Sequence, residues 1–196
     1  MRRVPIRDAS LLAVGLACAL AAQPVAAAGN QPSAVDPNGI VVTATFHGYP
    51  IDPALASHYF CHTRDYPAVR CFDSQAEVDA DLGMVEPTPG PAEADSSTDT
   101  SIHIVVPDWS GGAYTIAYWD INYGGSALTV YGAVPALSVL GWDDAISSIK
   151  SVNCGIPRYY LNPNYGGSYW QNSCNSWSAN LYSVNDTFSS VINEAP

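Results

Sequence analysis

Residues 114–119 and 127–131 are short runs in which aromatic or β-branched positions alternate with small or polar ones between glycines, a pattern that predicts strands. Residues 40–46 alternate in the same way, and residues 102–106 form a short apolar run that predicts a further strand. Residues 59–73 predict a small hairpin with Asp65-Tyr66-Pro67 at its turn. Ser74-Gln75-Ala76-Glu77 places an N-cap hydroxyl three positions before a glutamate, which predicts the start of a short helix. Residues 85–100 are rich in Pro, Ala, Asp, Ser and Thr without apolar periodicity and predict an acidic linker, and residues 29–39 predict a disordered lead. At the N-terminus, Arg2, Arg3 and Arg7 precede an apolar run over 11–22 and the small residues Val25-Ala26-Ala27-Ala28. This is the pattern of a secretory signal peptide spanning 1–28, and the run is too short for a permanent anchor.

The strand-rich part contains a repeat. Tyr118-Trp119-Asp120-Ile121-Asn122-Tyr123-Gly124-Gly125 and Tyr160-Leu161-Asn162-Pro163-Asn164-Tyr165-Gly166-Gly167 both read Y-x-x-x-N-Y-G-G. Each is followed about two dozen residues later by a second motif: Asp143-Asp144-Ala145-Ile146-Ser147-Ser148, then Asn185-Asp186-Thr187-Phe188-Ser189-Ser190. A period of roughly 40 residues marks a supersecondary unit that buries its core against its twin. The Gly-Gly pairs suit tight turns needing positive φ, with the tyrosines clamped over them. Two side-chain oxygens followed by two hydroxyls form an oxygen-only donor set, suited to a hard cation and to calcium above all. A single such segment reads equally as an exposed turn, because Asp, Asn and Ser bond their own backbone; two copies in register with two aromatic-glycine corners favour the cation.

These residues resemble the microbial βγ-crystallins. Tyr118, Tyr123 and Gly125, and again Tyr160, Tyr165 and Gly167, match that family's aromatic-glycine signature, while both six-residue motifs match its calcium loop. The resemblance implies an all-β fold: a βγ-crystallin-like sandwich of two Greek keys over 101–196, the first at about 114–152 and the second at about 153–196. A small disulfide-tied N-terminal unit over 40–84 would precede it. The resemblance further implies that the two loops lie side by side and share calcium ions. Donors would be Asp143 or Asp144 with Ser147, and Asn185 or Asp186 with Ser189, completed by backbone carbonyls near Trp119 and Leu161. Ser148 and Ser190 would hydrogen-bond within the loops. One departure stands out: Gly141-Trp142 precedes the first motif but Ser183-Val184 the second, so the corner tryptophan that braces the first loop is missing from the second.

Charge and cysteines set the compartment and exclude some partners. The chain carries a formal net charge of −11. Without residues 1–28 it holds 4 Lys and Arg against 17 Asp and Glu, a charge of −13. Nucleic acid and anionic membranes, which need basic patches, are excluded as partners. The mature chain keeps Cys61, Cys71, Cys154 and Cys174, an even number that in a secreted protein predicts two disulfides. Of three pairings, Cys61–Cys71 and Cys154–Cys174 are favoured because each lies within one local unit; a metal site of His58, Cys61, His62 and Cys71 is the competing reading. His58 and His62 would share one face of a strand, and His47 and His103 have no partners close in sequence.

No nucleophile elbow and no H-E-x-x-H helix is present, so the chain reads as a non-enzyme. The expected protein is a secreted, extracellular, monomeric calcium-binding protein whose fold the ion stabilises. The alternative is a secreted protein-binding module, such as an extracellular protease inhibitor or a toxin with a crystallin-like fold. Residues 162–177 are its candidate contact loop, although Tyr169, Trp170 and Trp177 read more simply as core of the second key.

Overall fold

The computed structural model describes residues 31–84, 112–153 and 155–194. The expected signal peptide, the linker at 85–100 and the strand at 102–106 lie outside these residues. So does Cys154, and with it the expected Cys154–Cys174 pairing. Among the described residues no helix is long and apolar enough to cross a membrane.

Among the described residues, thirteen strands form two sheets. The N-terminal part supplies β1 (Ser33–Val35), β2 (Val41–Phe46), β3 (Tyr49–Ile51), β4 (Phe60–Asp65), β5 (Ala68–Phe72) and the helix α1 (Gln75–Asp81). The first repeat supplies β6 (Tyr114–Tyr118), β7 (Ala127–Val130), β8 (Ala133–Val134) and β9 (Ser148–Val152). The second supplies β10 (Ile156–Asn162), β11 (Gly166–Gln171), β12 (Trp177–Ser178) and β13 (Ser190–Glu194). One sheet runs β1-β2-β5-β4-β7-β6-β9-β12, with β3 also on β2, and the other runs β11-β10-β13-β8.

The third strand of each repeat sits in the other repeat's sheet. β8 pairs with β13 through Val134↔Val191 and Ala133↔Ile192, and β12 pairs with β9 through Trp177↔Lys150 and Ser178↔Ile149. This exchange is the Greek-key connection, and it locks two sheets face to face over one core. Trp142, Tyr159, Phe188, Leu128, Leu137, Leu140, Ile146 and Ile149 are all fully buried in that core. Tyr159 (β10) and Thr115 (β6) join the sheets through a buried hydroxyl–hydroxyl contact of 2.9 Å, and burial pushes the tyrosine's pKa upwards.

The N-terminal strands extend the first sheet instead of forming one of their own. β4 lies parallel to β7, with Phe60↔Ala127, Cys61↔Leu128 and His62↔Thr129 in register. Val42, Ala44, Cys61, Val69 and Cys71 belong to the same core as Leu128 and Trp142. The expected hairpin is present, and Cys61 and Cys71 form a disulfide between its directly opposed strands. That bond replaces the Cys/His metal reading: His58 is exposed at the end of a 3-10 turn while His62 is buried. Part of the expected disordered lead is ordered. Ser33–Val35 pairs with β2, and Asp36 closes the following turn by accepting from the amides of Asn38 and Ile40.

Helix α1 starts where the sequence predicts, with the Glu77 amide donating to Ser74 Oγ at 3.3 Å. The Glu77 carboxylate reaches back one residue further, to the Asp73 amide. The helix lays Val78 and Leu82 over Tyr114, Ile116 and Tyr118, so every residue of β6 is buried. This explains the apolar outer positions of that strand; β10, its counterpart, alternates between buried and half-buried residues over 156–160 and ends in two exposed ones.

At the far end of α1, Asp81 accepts from His62 Nε2 and from Arg70 Nη2, each at 2.8 Å. His62 is 1 % exposed, and burial outweighs the attraction of Asp81 in lowering its pKa below 6.5. Arg70 opposes the proton further, while Asp65 favours it. Because the folded pKa is depressed, the unfolded chain takes up this proton first as pH falls. The His62 contribution to stability is therefore complete above about pH 6.5 and declines as pH falls towards the lowered folded value. Denaturant unfolding from pH 8 to pH 5 should show this decline, and His62→Asn should flatten it.

Candidate metal centre

The two repeated corners superimpose in their backbone chemistry. Asn122 and Tyr123 have φ of 57° and 64°, and Asn164 and Tyr165 have 54° and 60°. Gly125 and Gly167 follow at 73° and 74°. A Cβ on Gly125 would lie 2.9 Å from Asp120 Oδ2, and one on Gly167 2.7 Å from Asn162 Nδ2, so each corner needs its second glycine on two counts. The paired tyrosines stand edge to face: Tyr118–Tyr123 at 5.6 Å and Tyr160–Tyr165 at 5.9 Å between ring centroids.

The last serine of each six-residue motif pins its own corner. Ser148 Oγ donates to the Asp120 carbonyl at 2.6 Å and accepts from the Tyr123 amide at 2.9 Å. Ser190 Oγ does the same with the Asn162 carbonyl at 2.7 Å and the Tyr165 amide at 3.0 Å. Both serines are fully buried. Their bonds thus run from the loop to the corner, not within the loop. The spacer of the motif also has a function: Ile146 and Phe188, at equivalent positions, are 0 % exposed and plug the loops into the core. A fully buried side chain of this size contributes about 1.5–3 kcal/mol.

With corner and core fixed, the two loops meet. The Asp144 amide donates to the Phe188 carbonyl at 3.1 Å, and the Asp186 amide donates to the Ile146 carbonyl at 3.2 Å. Ser147 Oγ donates to Asp186 Oδ1 at 3.0 Å, linking one expected donor set to the other. Asp144 and Asp186 both adopt positive φ, 50° and 54°. The Ser147 amide is held by the Tyr118 carbonyl and the Ser189 amide by the Tyr160 carbonyl, at 3.0 and 2.9 Å. Trp119 and Leu161 come one residue after these anchors, each with a side chain 39 % exposed at the surface.

The donor set fits a hard cation. Asp143, Asp144 and Asp186 are exposed carboxylates, while Ser147 and Ser189 are 6 % and 7 % exposed. Asn185 donates its amide to Asp186, but its own Oδ1 is buried without a hydrogen-bond partner, a free acceptor beside the carboxylates. Partial desolvation in the loop, then the negative charges of Asp143 and Asp186, push the Asp144 carboxyl above its ordinary value. Like charges held this close favour a cation between them.

The second loop lacks the buried Trp142, which in the first loop lies edge-on to Trp119. It is held differently. A single turn over Tyr182–Val184 bonds the Asn185 amide to the Tyr182 carbonyl at 3.2 Å, and Thr187 Oγ1 donates to the Val184 carbonyl at 2.8 Å.

Two expectations outside the loops change. Of the aromatic residues expected in the second core, only Trp170 packs there, against Tyr159 and Phe188. Tyr169 and Trp177 are 53 % and 66 % exposed, lying beneath Arg158 and Lys150 respectively. His47 does find partners: its Nε2 contacts Asp73 Oδ2 at 3.0 Å, with Glu77 close by and all three residues exposed.

Replacing the pinning hydroxyls tests how far the loops depend on the corners. Ser148→Ala and Ser190→Ala each leave a backbone carbonyl and amide unpaired, and each should cost about 1–3 kcal/mol of stability by urea unfolding. The two losses should be similar, because the two bond patterns match.

No protein-family model and no curated protein matches the chain. Solved structures do. A βγ-crystallin from an archaeon matches at 29 % identity and a TM-score of 0.38, covering 42 % of this chain and 99 % of its own. A βγ-crystallin from Ciona intestinalis matches at 25 % identity and 0.38, covering 41 % and 99 %. A βγ-crystallin domain from Clostridium beijerinckii matches at 25 % identity and 0.37, covering 42 % and 99 %. Over about two-fifths of its length the chain is thus similar to βγ-crystallin domains.

Proposed function

We propose that this is a secreted, non-enzymatic protein whose crystallin-like domain binds calcium and is stabilised by it. The observation that carries this reading is the pairing of the two loops. Two equivalent backbone bonds and the Ser147–Asp186 bond tie the loop that carries Asp143, Asp144 and Ser147 to the loop that carries Asn185, Asp186 and Ser189. The carbonyls of Trp119 and Leu161 lie on the segments that anchor those loops. Calcium would supply the positive charge that offsets the crowded carboxylates and would tie the two keys together where their loops touch. With few full carboxylates per ion, the affinity suits an extracellular calcium concentration, not tight buffering. At ~100 times its dissociation constant, an ion stabilises the fold by about 2.7 kcal/mol per site.

Secretion rests on the sequence of residues 1–28 and is supported by the disulfide between Cys61 and Cys71. The exposed Tyr169 and Trp177 favour a second reading, capture of an extracellular protein. Specific inhibition of one enzyme in a panel of extracellular proteases would support it, and calcium binding does not discriminate between the two readings.

Calorimetric titration of chelator-stripped, disulfide-bonded protein should give two calcium-binding events and a higher Tm in calcium. Ser147→Val combined with Ser189→Val should abolish the calcium-dependent rise in Tm and leave the fold intact by circular dichroism. Neither heat nor shift in the unmodified protein would reduce the loops to ordinary turns.

A further inference from the structure

The N-terminal segment reaches the first calcium loop and its corner together. Its single 3-10 turn, Pro53–His58, is capped by Asp52, whose Oδ1 accepts from the Ala54 amide at 3.0 Å. Pro53, Ala56 and Ser57 are buried against the rest of the fold. Gly141, two residues before Asp143, has φ of 71°, and a Cβ there would collide with the Ala54 carbonyl oxygen and lie 2.7 Å from Ser57 Oγ. The backbone entering the loop therefore runs directly against the turn. On the other side, Ser126 Oγ donates to the Ser57 carbonyl, and the Ser126 carbonyl accepts from the Trp119 amide at 3.1 Å. One turn of chain thus holds both segments that supply the first key's donors: the strand end at Trp119 and the approach to Asp143 and Asp144.

Among the described residues no buried backbone approach of this kind braces the second loop. Ser183 stands two residues before Asn185 where the first loop has Gly141. At the second corner the N-terminal segment places an exposed side-chain bond from Asn38 Nδ2 to Asn164 Oδ1 at 3.0 Å, with Asp36 and Tyr66 near Tyr165. An exposed side-chain bond of this kind constrains far less than a buried backbone approach.

We infer that the turn at 53–58 is a positioning element for the first calcium loop, with Gly141 and Ser126 as its contact residues, so that calcium binding and N-terminal docking are coupled. This rests on the calcium reading above. A loop held in its binding geometry loses less freedom when the ion enters, so the braced site is the tighter of the two. By linkage the ion must in turn stabilise the docked turn.

The test uses the full mature chain. Calcium should slow hydrogen exchange at the amides of Leu55 and Tyr59, which bond to the Asp52 and Ala56 carbonyls within the turn. Ser126→Ala, which frees the Ser57 carbonyl, should weaken the tighter calcium site by about five-fold or more and the weaker site, which shares donors of the first loop, by less. A purely structural role for Ser126 would lower Tm equally in calcium and in chelator; the positioning role shrinks the difference between them. Two calcium events without added protection at Leu55 and Tyr59, or an unchanged tighter site in Ser126→Ala, would overturn the coupling and leave the calcium reading standing. No calcium heat at all would overturn both.

Discussion

Each Greek key completes its sheet with a two-residue strand taken from the other, and the position of every proposed donor follows from that exchange. β8 and β12 are too short to hold by themselves, so they form only where the partner key presents β13 or β9. Crossing between sheets forces the next segment of each key to return past the other, which is where the six-residue motifs lie. Ile146 and Phe188 then enter the shared core, and the motif residues around them are left at the seam between the keys. The seam joins the loop of Asp143 and Asp144 to the loop of Asn185 and Asp186, about 40 residues further along the chain, through the Asp144–Phe188 and Asp186–Ile146 backbone bonds.

The N-terminal segment changes what the first key needs. In a free-standing sandwich the outer face of β6 would meet water, but here α1 covers it and β4 extends the sheet past β7. Tyr114, Ile116 and Tyr118 are apolar for that reason. The addition also breaks the two-fold likeness of the repeats: the first loop is backed by the turn at 53–58, whereas the second stands on its own local turn at Tyr182–Val184. Two motifs nearly alike in sequence thus sit in unlike surroundings.

The doubled corners were legible because they combine residues with narrow backbone preferences, Gly125 and Gly167 at positive φ, with tyrosines at a fixed spacing. The bonds of Ser148 and Ser190 were half legible. Their exclusion from the donor set followed from the resemblance, while their partners, Asp120 and Asn162, lie too far along the chain to be named. Ile146 and Phe188 passed as spacer because burial depends on the opposite sheet. For the same reason the order of Ser33–Val35 was hidden: a Pro/Asn/Ser-rich stretch has little strand preference, and its order comes from β2 alongside. The environments of Tyr169, Trp177 and His47 depend on cross-strand neighbours, Arg158, Lys150 and Asp73, that local pattern does not reveal.

Calcium at the seam would act where the keys already touch, adding charge neutralisation to a contact that core packing and backbone bonds have placed. The most direct measurement is anomalous diffraction from crystals of the mature chain grown with calcium. The account predicts two anomalous peaks at the seam, each within coordinating distance of side-chain oxygens from both 143–148 and 185–190 and of a carbonyl at Trp119 or Leu161. Peaks confined to other acidic surface, or none at the seam with calcium at millimolar concentration, would contradict it.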